Sequence, residues 1–448
     1  MKKTRFFYEM NYFLIVLLGW LLLFGKAGEV NRKEKNKGMA EETISMEGKR
    51  EQDKEERFNI LQSFGISSAG IGLSLKWTEA EDGKTDGKTG DRLIRVLLTD
   101  SDQKSYYHPS VTLQIHGEER TYTFDSPEVQ GKTLILKGDE DGIAVPSIKR
   151  AQNPPVYYGT LEIKKTGQGL LLINELPLET YLKGVVPSEM PSAYEEQALM
   201  AQAVCARTYA VCQMEENSLQ EEYGADVDDS VNYQVYGNFA ADEKTNRAVE
   251  KTKGQILCQN GKPITAYYFS TSAGQTSTDE IWGADKAAAY LKSVECDFDQ
   301  DMPWSSWNVE IPWQILENRA AESGGDGSLK GIQIEKKSTS GAVTGIKVIA
   351  ENRTIQIEGE YEIRQFLSPA GLSVTEKDGT VVKGGSLLPS SYFDLKVKLD
   401  QMVQILGKGY GHGIGMSQNG ANEMAKEGYT WREILTYFFQ NITLESME

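Results

Sequence analysis

The residue types able to do chemistry concentrate in two stretches, Leu176–Ala210 and Gly407–Ala421. In the first, Glu189 stands alone between Pro187 and Pro191, just ahead of a helical pattern. A carboxyl group on a stiffened loop beside a buried helix can act as a positioned proton donor. A surface loop glutamate would show the same residues. Ordinary glycosidases need two carboxyl groups flanking the scissile bond. A lytic transglycosylase manages with one, because the sugar's own hydroxyl closes onto the anomeric carbon and no water is activated. Such an acid must keep its proton near neutral pH, which requires an apolar surround. Val185, Val186, Pro187 and Met190 can supply one, whereas the N-terminus of the following helix would favour the carboxylate. The sequence leaves open which influence prevails.

The second stretch is a ladder, GKGYGHGIGMSQNGA, with glycines at 407, 409, 411, 413 and 415. If extended, it projects Lys408, Tyr410, His412 and Ile414 to one side and lets backbone approach a ligand closely. A tightly packed inner strand would read the same way. Neither glycine-rich phosphate-loop spacing is matched, which argues against a nucleotide site. Ser417 and Gln418 follow directly. A competing chemistry is a cysteine nucleophile, Cys205 with His412. Cys205 falls mid-helix, however, with nothing nearby to lower its pKa.

The element that must position Glu189 is the helix after it. Ser192 with Glu195 forms a capping-box pattern, and Leu199, Ala203, Ala206 and Ala210 recur at helical spacing. Its small faces predict a central, closely packed helix. Around it the fold class expected is α+β: a central helix among mixed β-sheets, with a β-rich N-terminal part and an inserted second lobe. The segments are a signal-anchor over 1–27, a charged tether over 28–90 and a β-rich part over 91–172. The first half of the core follows over 173–295, then an inserted α/β lobe over 296–400 and a closing segment over 401–448 with the ladder and a C-terminal helix. A hairpin turning at Asn260-Gly261 is predicted, with Ile264, Ala266, Tyr268, Ser270 and Ser272 on one strand face. The basic start and the apolar run Met10–Gly25 predict a single-pass membrane protein with its bulk outside the cytoplasm.

With 65 acidic against 48 basic residues the net charge is −17, which excludes the basic footprint of nucleic-acid binding. Cys205 and Cys212 are too far apart on one helix to bridge, while a Cys258–Cys296 pair stays open. Three histidines and no Cys-x-x-Cys argue against zinc.

Taken together, ELPLETYLKGVVPSEMPSAYEEQALMAQAVCARTYA, QVYGN, YYFSTSAGQTS with EIWG, and GKGYGHGIGMSQNGA resemble the SpoIID/LytB family of stage II sporulation protein D and amidase enhancers. The resemblance covers roughly Leu93 to Phe439. It implies a lytic transglycosylase cutting peptidoglycan glycan strands during engulfment, with no cofactor and with Glu189 as acid and then base. It implies substrate contacts from Arg207, Lys408 and Tyr410. It also places Gln202, Ser270, Ser272, His412, Ser417 and Gln418 in the pocket motifs. Implied partners are a cell-wall amidase and a membrane anchoring protein. A non-catalytic glycan-binding enhancer of an amidase is the alternative the family offers. The sequence departs from the family pattern at Ala273-Gly274 and Asn419. Glu215–Tyr236 lacks the Cys/His cluster of some relatives, so no metal is expected.

Overall fold

The structure is a computed structural model that describes residues 92–398 and 401–447. The anchor and tether expected over 1–90 lie outside the described residues.

The N-terminal part is built from short, alternating or wholly apolar runs, which become strands. β1 (Leu93–Leu98), β4 (Leu134–Lys137), β7 (Thr160–Lys165), β8 (Leu170–Pro177) and β9 (Val227–Asp228) form one five-stranded sheet in the order β4-β7-β8-β1-β9. β1 runs antiparallel to β8, with Leu93 opposite Pro177, and parallel to β9. Leu170, Leu171, Leu172 and Ile173 are all buried, as a strand covered on both faces requires. A second sheet, order β3-β2-β5-β6, joins β2 (Ser110–Ile115), β3 (Glu118–Thr123), β5 (Ile143–Ala144) and β6 (Val156–Tyr157).

β8 runs directly into α1 (Leu178–Glu189), and α2 (Glu196–Glu216) follows after a short loop. α2 is buried from Ala198 through Val211, the signature of a helix surrounded by other elements. It packs on α1, on α3 (Glu243–Lys251) and on β10 (Gln255–Gln259). The expected capping box is absent: Glu195 is the N-cap and makes no side-chain cap bond. Its backbone N–H instead donates to Asn422 Oδ1 at 2.8 Å, so a tertiary contact fixes this helix start.

The hairpin turn at Asn260-Gly261 forms as expected, both residues having positive φ, between β10 and β11 (Lys262–Pro263). The strand beyond it does not continue. Only β12 (Tyr268–Phe269) and β13 (Gly274–Gln275) are regular, and β13 pairs with β14 (Glu295–Cys296). The long face drawn from Ile264 to Ser272 is therefore broken into separate pairings.

The lobe has its own core, centred on Trp307, Val309, Ile311, Val348, Ile363 and Val403. Its main sheet is ordered β20-β19-β15-β22-β21, from β15 (Trp307–Pro312), β19 (Ser373–Glu376), β20 (Val381–Lys383), β21 (Phe393–Val397) and β22 (Met402–Gly407). α4 (Trp313–Glu322) and α5 (Glu360–Phe366) pack with this sheet and with a second one, β16 (Leu329–Lys337), β17 (Val343–Ala350) and β18 (Thr354–Glu358). β22 lies between β15 and β21, so the lobe's sheet takes a strand from the segment that also carries the ladder.

After β23 (Met416–Ser417) the single C-terminal helix expected is two. α6 (Gln418–Lys426) and α7 (Trp431–Phe438) are separated at Gly428, whose φ of +97° ends the first helix. Thr430 and Glu433 form a capping box that starts the second. The closing strand, β24 (Thr443–Ser446), pairs antiparallel with β10.

Candidate active site

Glu189 is the last residue of α1, not an isolated loop residue. Pro187 is tolerated inside the final turn, where its missing N–H forfeits one helical bond near a terminus. This placement decides the electrostatics left open by the sequence. Glu189 is 4 % exposed, and burial pushes the pKa of its carboxyl up to about 8. The negative end of α1 acts in the same direction, because a helix C-terminus disfavours an anion. Two groups oppose it: the Val235 backbone N–H, which donates to Oε1 at 2.8 Å, and the neighbouring Tyr268 hydroxyl. Oε2 is buried without a partner in hydrogen-bonding geometry. Burial thus favours the protonated form at neutral pH, with one oxygen pinned by the Val235 N–H and the other buried.

The segment over Glu189 is Gln234–Asn238, the QVYGN motif. Gly237 N–H donates to Ser188 Oγ at 3.1 Å. The Tyr236 ring packs so closely on Gly184 that a Cβ there would come within 2.4 Å of it. Both flanks are tied to the N-terminal sheets. Asp229 binds the Arg150 guanidinium at 2.5 and 2.9 Å, and the Asn238 side chain bonds the Val156 backbone in both directions. The β-rich part therefore holds the cover of the acid in place.

The ladder reaches the same place from the other side, but not as an extended strand. Gly409, Gly411, Gly413 and Gly415 all have φ between +75° and +120°, a region open to glycine and costly for other residues. Lys408, Tyr410, His412 and Ile414 consequently do not share one face. Lys408 is exposed and available to a ligand. Tyr410 is buried, bridges to Thr271 through both backbone groups and lies 4.7 Å, ring to ring, from Trp304. The His412 ring sits among Tyr267, Phe269 and Trp282, and its Nδ1 accepts the Ile414 N–H at 3.0 Å. Burial and the Arg364 charge hold its pKa far below the ordinary range, so the ring is neutral, with one nitrogen accepting and the other able to donate.

Gln418 is the direct link to the acid. Its Nε2 donates to the Glu189 carbonyl at 3.1 Å, and Gln202 Oε1 lies 3.4 Å away. Ser417 caps α6 through the Gly420 N–H and donates to Asp299 Oδ2 at 2.6 Å. Ser272 N–H donates to the same oxygen at 2.7 Å, and Ser270 accepts from Asn419 N–H. Gln202, Ser270, Ser272, Ser417 and Gln418 thus converge as a supporting frame. Asp299, which sequence reasoning missed, is its buried hub. It sits in an acidic run, CDFDQD, that looks like surface, and only its tertiary partners distinguish it. Tyr268 and the Val235 N–H were also missed, although both fall within motifs.

Arg207, expected from the family resemblance to contact substrate, faces the interior. It is fully buried, with Nε and Nη2 each 2.8 Å from the Glu179 carboxylate and further bonds to the Val249 and Gln255 carbonyls. It clamps α1, α2, α3 and β10 together. The structure argues, as the helix position does, against a Cys205 nucleophile: its thiol is fully buried against Met416, and burial drives its pKa far up. All four cysteines are free, so the open Cys258–Cys296 pairing does not occur. Among the described residues one group has metal-ligand types, His116, Asp139 and Asp141; it is exposed, and His116 is already paired to Asp139.

One glycine is predicted to be indispensable for this geometry. A Cβ on Gly415 would sit 2.1 Å from the Tyr267 carbonyl oxygen, at a φ of +81°. Gly415→Ala should cost upwards of about 2 kcal/mol, since left-handed backbone alone costs about 1–2 kcal/mol and the clash adds to it. Chemical denaturation of the variant checks this; an unchanged midpoint would show that the ladder relaxes freely.

The profile of the stage II sporulation protein family, SpoIID, matches residues 166–258, which contain α1, α2 and the cover segment. The chain is 33 % identical over 289 residues to stage II sporulation protein D of Bacillus subtilis, covering 62 % of this chain and 76 % of that protein. It is 32 % identical over 302 residues to the amidase enhancer of the same organism, covering 59 % of this chain and 40 % of that protein's length. An uncharacterized protein of Brachyspira hyodysenteriae is 33 % identical over 376 residues, covering 79 % of this chain and 92 % of the relative. Glu189, the cover segment and the helix that organises them all lie within the residues matched by the profile. On this shared core and these identities, the chain belongs to the stage II sporulation protein D family.

Proposed function

We propose that this protein is a lytic transglycosylase of the bacterial cell wall, acting on peptidoglycan glycan strands in sporulation, with Glu189 as its single acid and base. The observation that carries the reading is a buried carboxyl whose pKa is raised to about 8, with one oxygen fixed and the other unengaged. Glu189 gives its proton to the glycosidic oxygen as the bond to the anomeric carbon breaks. The resulting carboxylate then takes the proton of the sugar's C6 hydroxyl as that oxygen closes onto the anomeric carbon, leaving a 1,6-anhydro product. No second carboxylate is required, in contrast to a hydrolase. In this reading the exposed Lys408 contacts the glycan. The reading extends to an N-terminal membrane anchor and to work alongside a cell-wall amidase and a membrane anchoring protein.

The test is incubation of the purified protein with peptide-free glycan strands. Anhydro-muramyl product that disappears in Glu189→Gln supports the assignment, and undiminished product in that variant rejects Glu189 as the acid. The pH profile has a defined sign. The acid form is the active one, so kcat/KM should fall as pH rises through about 8. A profile flat from pH 7 to 9 would contradict the assignment.

A second reading, a glycan-binding enhancer of an amidase, draws on the coverage of the carboxyl in the free protein and on the amidase-enhancer relative. Glycan binding without any anhydro product would favour it.

A further inference from the structure

Glu189 alternates between acid and carboxylate in the proposed reaction, and a buried carboxylate needs hydrogen-bond donors to replace water. The Val235 N–H supplies one. A second donor is the hydroxyl of Tyr268, half-buried on β12, which interacts with the Glu189 side chain.

Tyr268 is oriented at both ends. Its backbone lies in β12, where Tyr268 pairs with Met416 of β23, and its carbonyl is engaged by the His412 ring. Its hydroxyl oxygen accepts Gln234 Nε2 at 3.2 Å. Gln234 is itself fixed: the same Nε2 donates to the Ala206 carbonyl at 3.3 Å, and its Oε1 accepts the Tyr181 hydroxyl at 3.4 Å. An amide nitrogen has two protons, so Gln234 is fully committed as a donor, to Ala206 and to Tyr268. The Tyr268 oxygen is therefore held as an acceptor toward Gln234, which turns its own O–H proton toward the carboxyl. In the free protein Oε2 is not yet in bonding geometry, as is common before a charged partner forms.

We infer that Tyr268, oriented by Gln234 and His412, is the positioning hydroxyl that receives Glu189 as a carboxylate once the acid has released its proton. The role rests on the catalytic reading above, but the contact itself does not. In the first half-reaction the Oε2–H bond breaks and its proton goes to the glycosidic oxygen, which also keeps the electron pair of the cleaved C–O bond. The carboxylate then holds the Val235 N–H on one oxygen and the Tyr268 O–H on the other. In the second half-reaction it accepts the C6 hydroxyl proton, and Tyr268 returns to its resting state still protonated. The titratable groups facing the carboxyl among the described residues are Tyr181 on α1 and Tyr268 on β12. The influences acting on it are burial, the Val235 amide and Tyr268, so no charged side chain masks the effect.

The decisive experiment is direct titration of the Glu189 carboxyl, by carbon-13 NMR of labelled glutamate or by difference infrared spectroscopy. It is run on wild type, Tyr268→Phe and Gln234→Met, with Glu189→Gln assigning the signal. Removing one hydrogen bond to the charged form should raise the midpoint by about one pH unit in Tyr268→Phe, and by less in Gln234→Met. Where strand cleavage is measurable, kcat should fall about tenfold or more in Tyr268→Phe with KM little changed. Midpoints equal to wild type in both folded variants would overturn the inference. If wild type forms no anhydro product, the catalytic reading fails, while the titration still decides whether Tyr268 partners the carboxylate.

Discussion

Glu189→Gln is expected to abolish strand cleavage and at the same time to make the protein more stable at alkaline pH. The two effects have one cause. Burial raises the carboxyl pKa from its ordinary 4.5 to about 8, so the folded state resists ionisation that the unfolded chain undergoes freely. Below about pH 4.5 both states are protonated and the residue imposes no penalty. Between 4.5 and 8 stability declines by about 1.4 kcal/mol per pH unit. Above 8 the full difference, about 5 kcal/mol, weighs against folding. Glutamine is close to isosteric, can keep the Val235 N–H bond and cannot ionise. The variant should therefore match wild type at pH 4 and exceed it increasingly toward pH 9, by less than that limit because its new N–H group needs a partner. Urea midpoints from pH 4 to 9.5 measure this directly. Parallel curves for the two proteins would mean that the carboxyl is not perturbed, and the acid assignment would lose its physical basis. Under the proposed role the trade is the one expected of a catalytic group, a residue kept at a cost in stability.

Arg207→Met should be the most damaging single change to the fold. The guanidinium is fully buried and grips Glu179 through two 2.8 Å bonds while satisfying the carbonyls of Val249 and Gln255. Removing one partner of such a pair leaves the other charge desolvated and costs about 3–5 kcal/mol. Lysine should not rescue it, because a single ammonium cannot reproduce the planar two-bond contact. Pairing Arg207→Met with Glu179→Leu should recover part of the loss, since no lone buried charge remains. Thermal or chemical denaturation of the three variants checks the ordering. A substrate-binding role predicts something else, an Arg207→Met protein of normal stability whose KM for glycan rises. That outcome would support the reading implied by family resemblance.

Much of the local structure was legible in the chain. Alternating and apolar runs marked the strands of the N-terminal sheets, and the small-faced helical pattern marked α2 as buried. Asn260-Gly261 marked a hairpin because its two residues adopt positive φ readily. Glu189 also stood out by type and context, as did the QVYGN and ladder motifs. These features depend on neighbours in sequence, so residue type and spacing are enough to expose them.

The tertiary structure decided what depends on distant partners. Whether Glu189 holds its proton turned on α1 extending to Glu189 and on Gln234–Asn238 folding over it, an interaction spanning 46 residues. Whether Arg207 meets solvent or Glu179 turned on the packing of α1, α3 and β10 around α2. Asp299 became a hub only where Ser272 and Ser417, far apart in sequence, meet its carboxylate. The ladder looked extended because alternation suggests a strand, yet its glycines adopt the left-handed conformations that such residues permit and the pattern cannot reveal. Composition and periodicity thus determined which residues were available for chemistry. The burial of individual polar side chains, which depends on distant partners, determined which of them are charged, which are neutral and which hold the others.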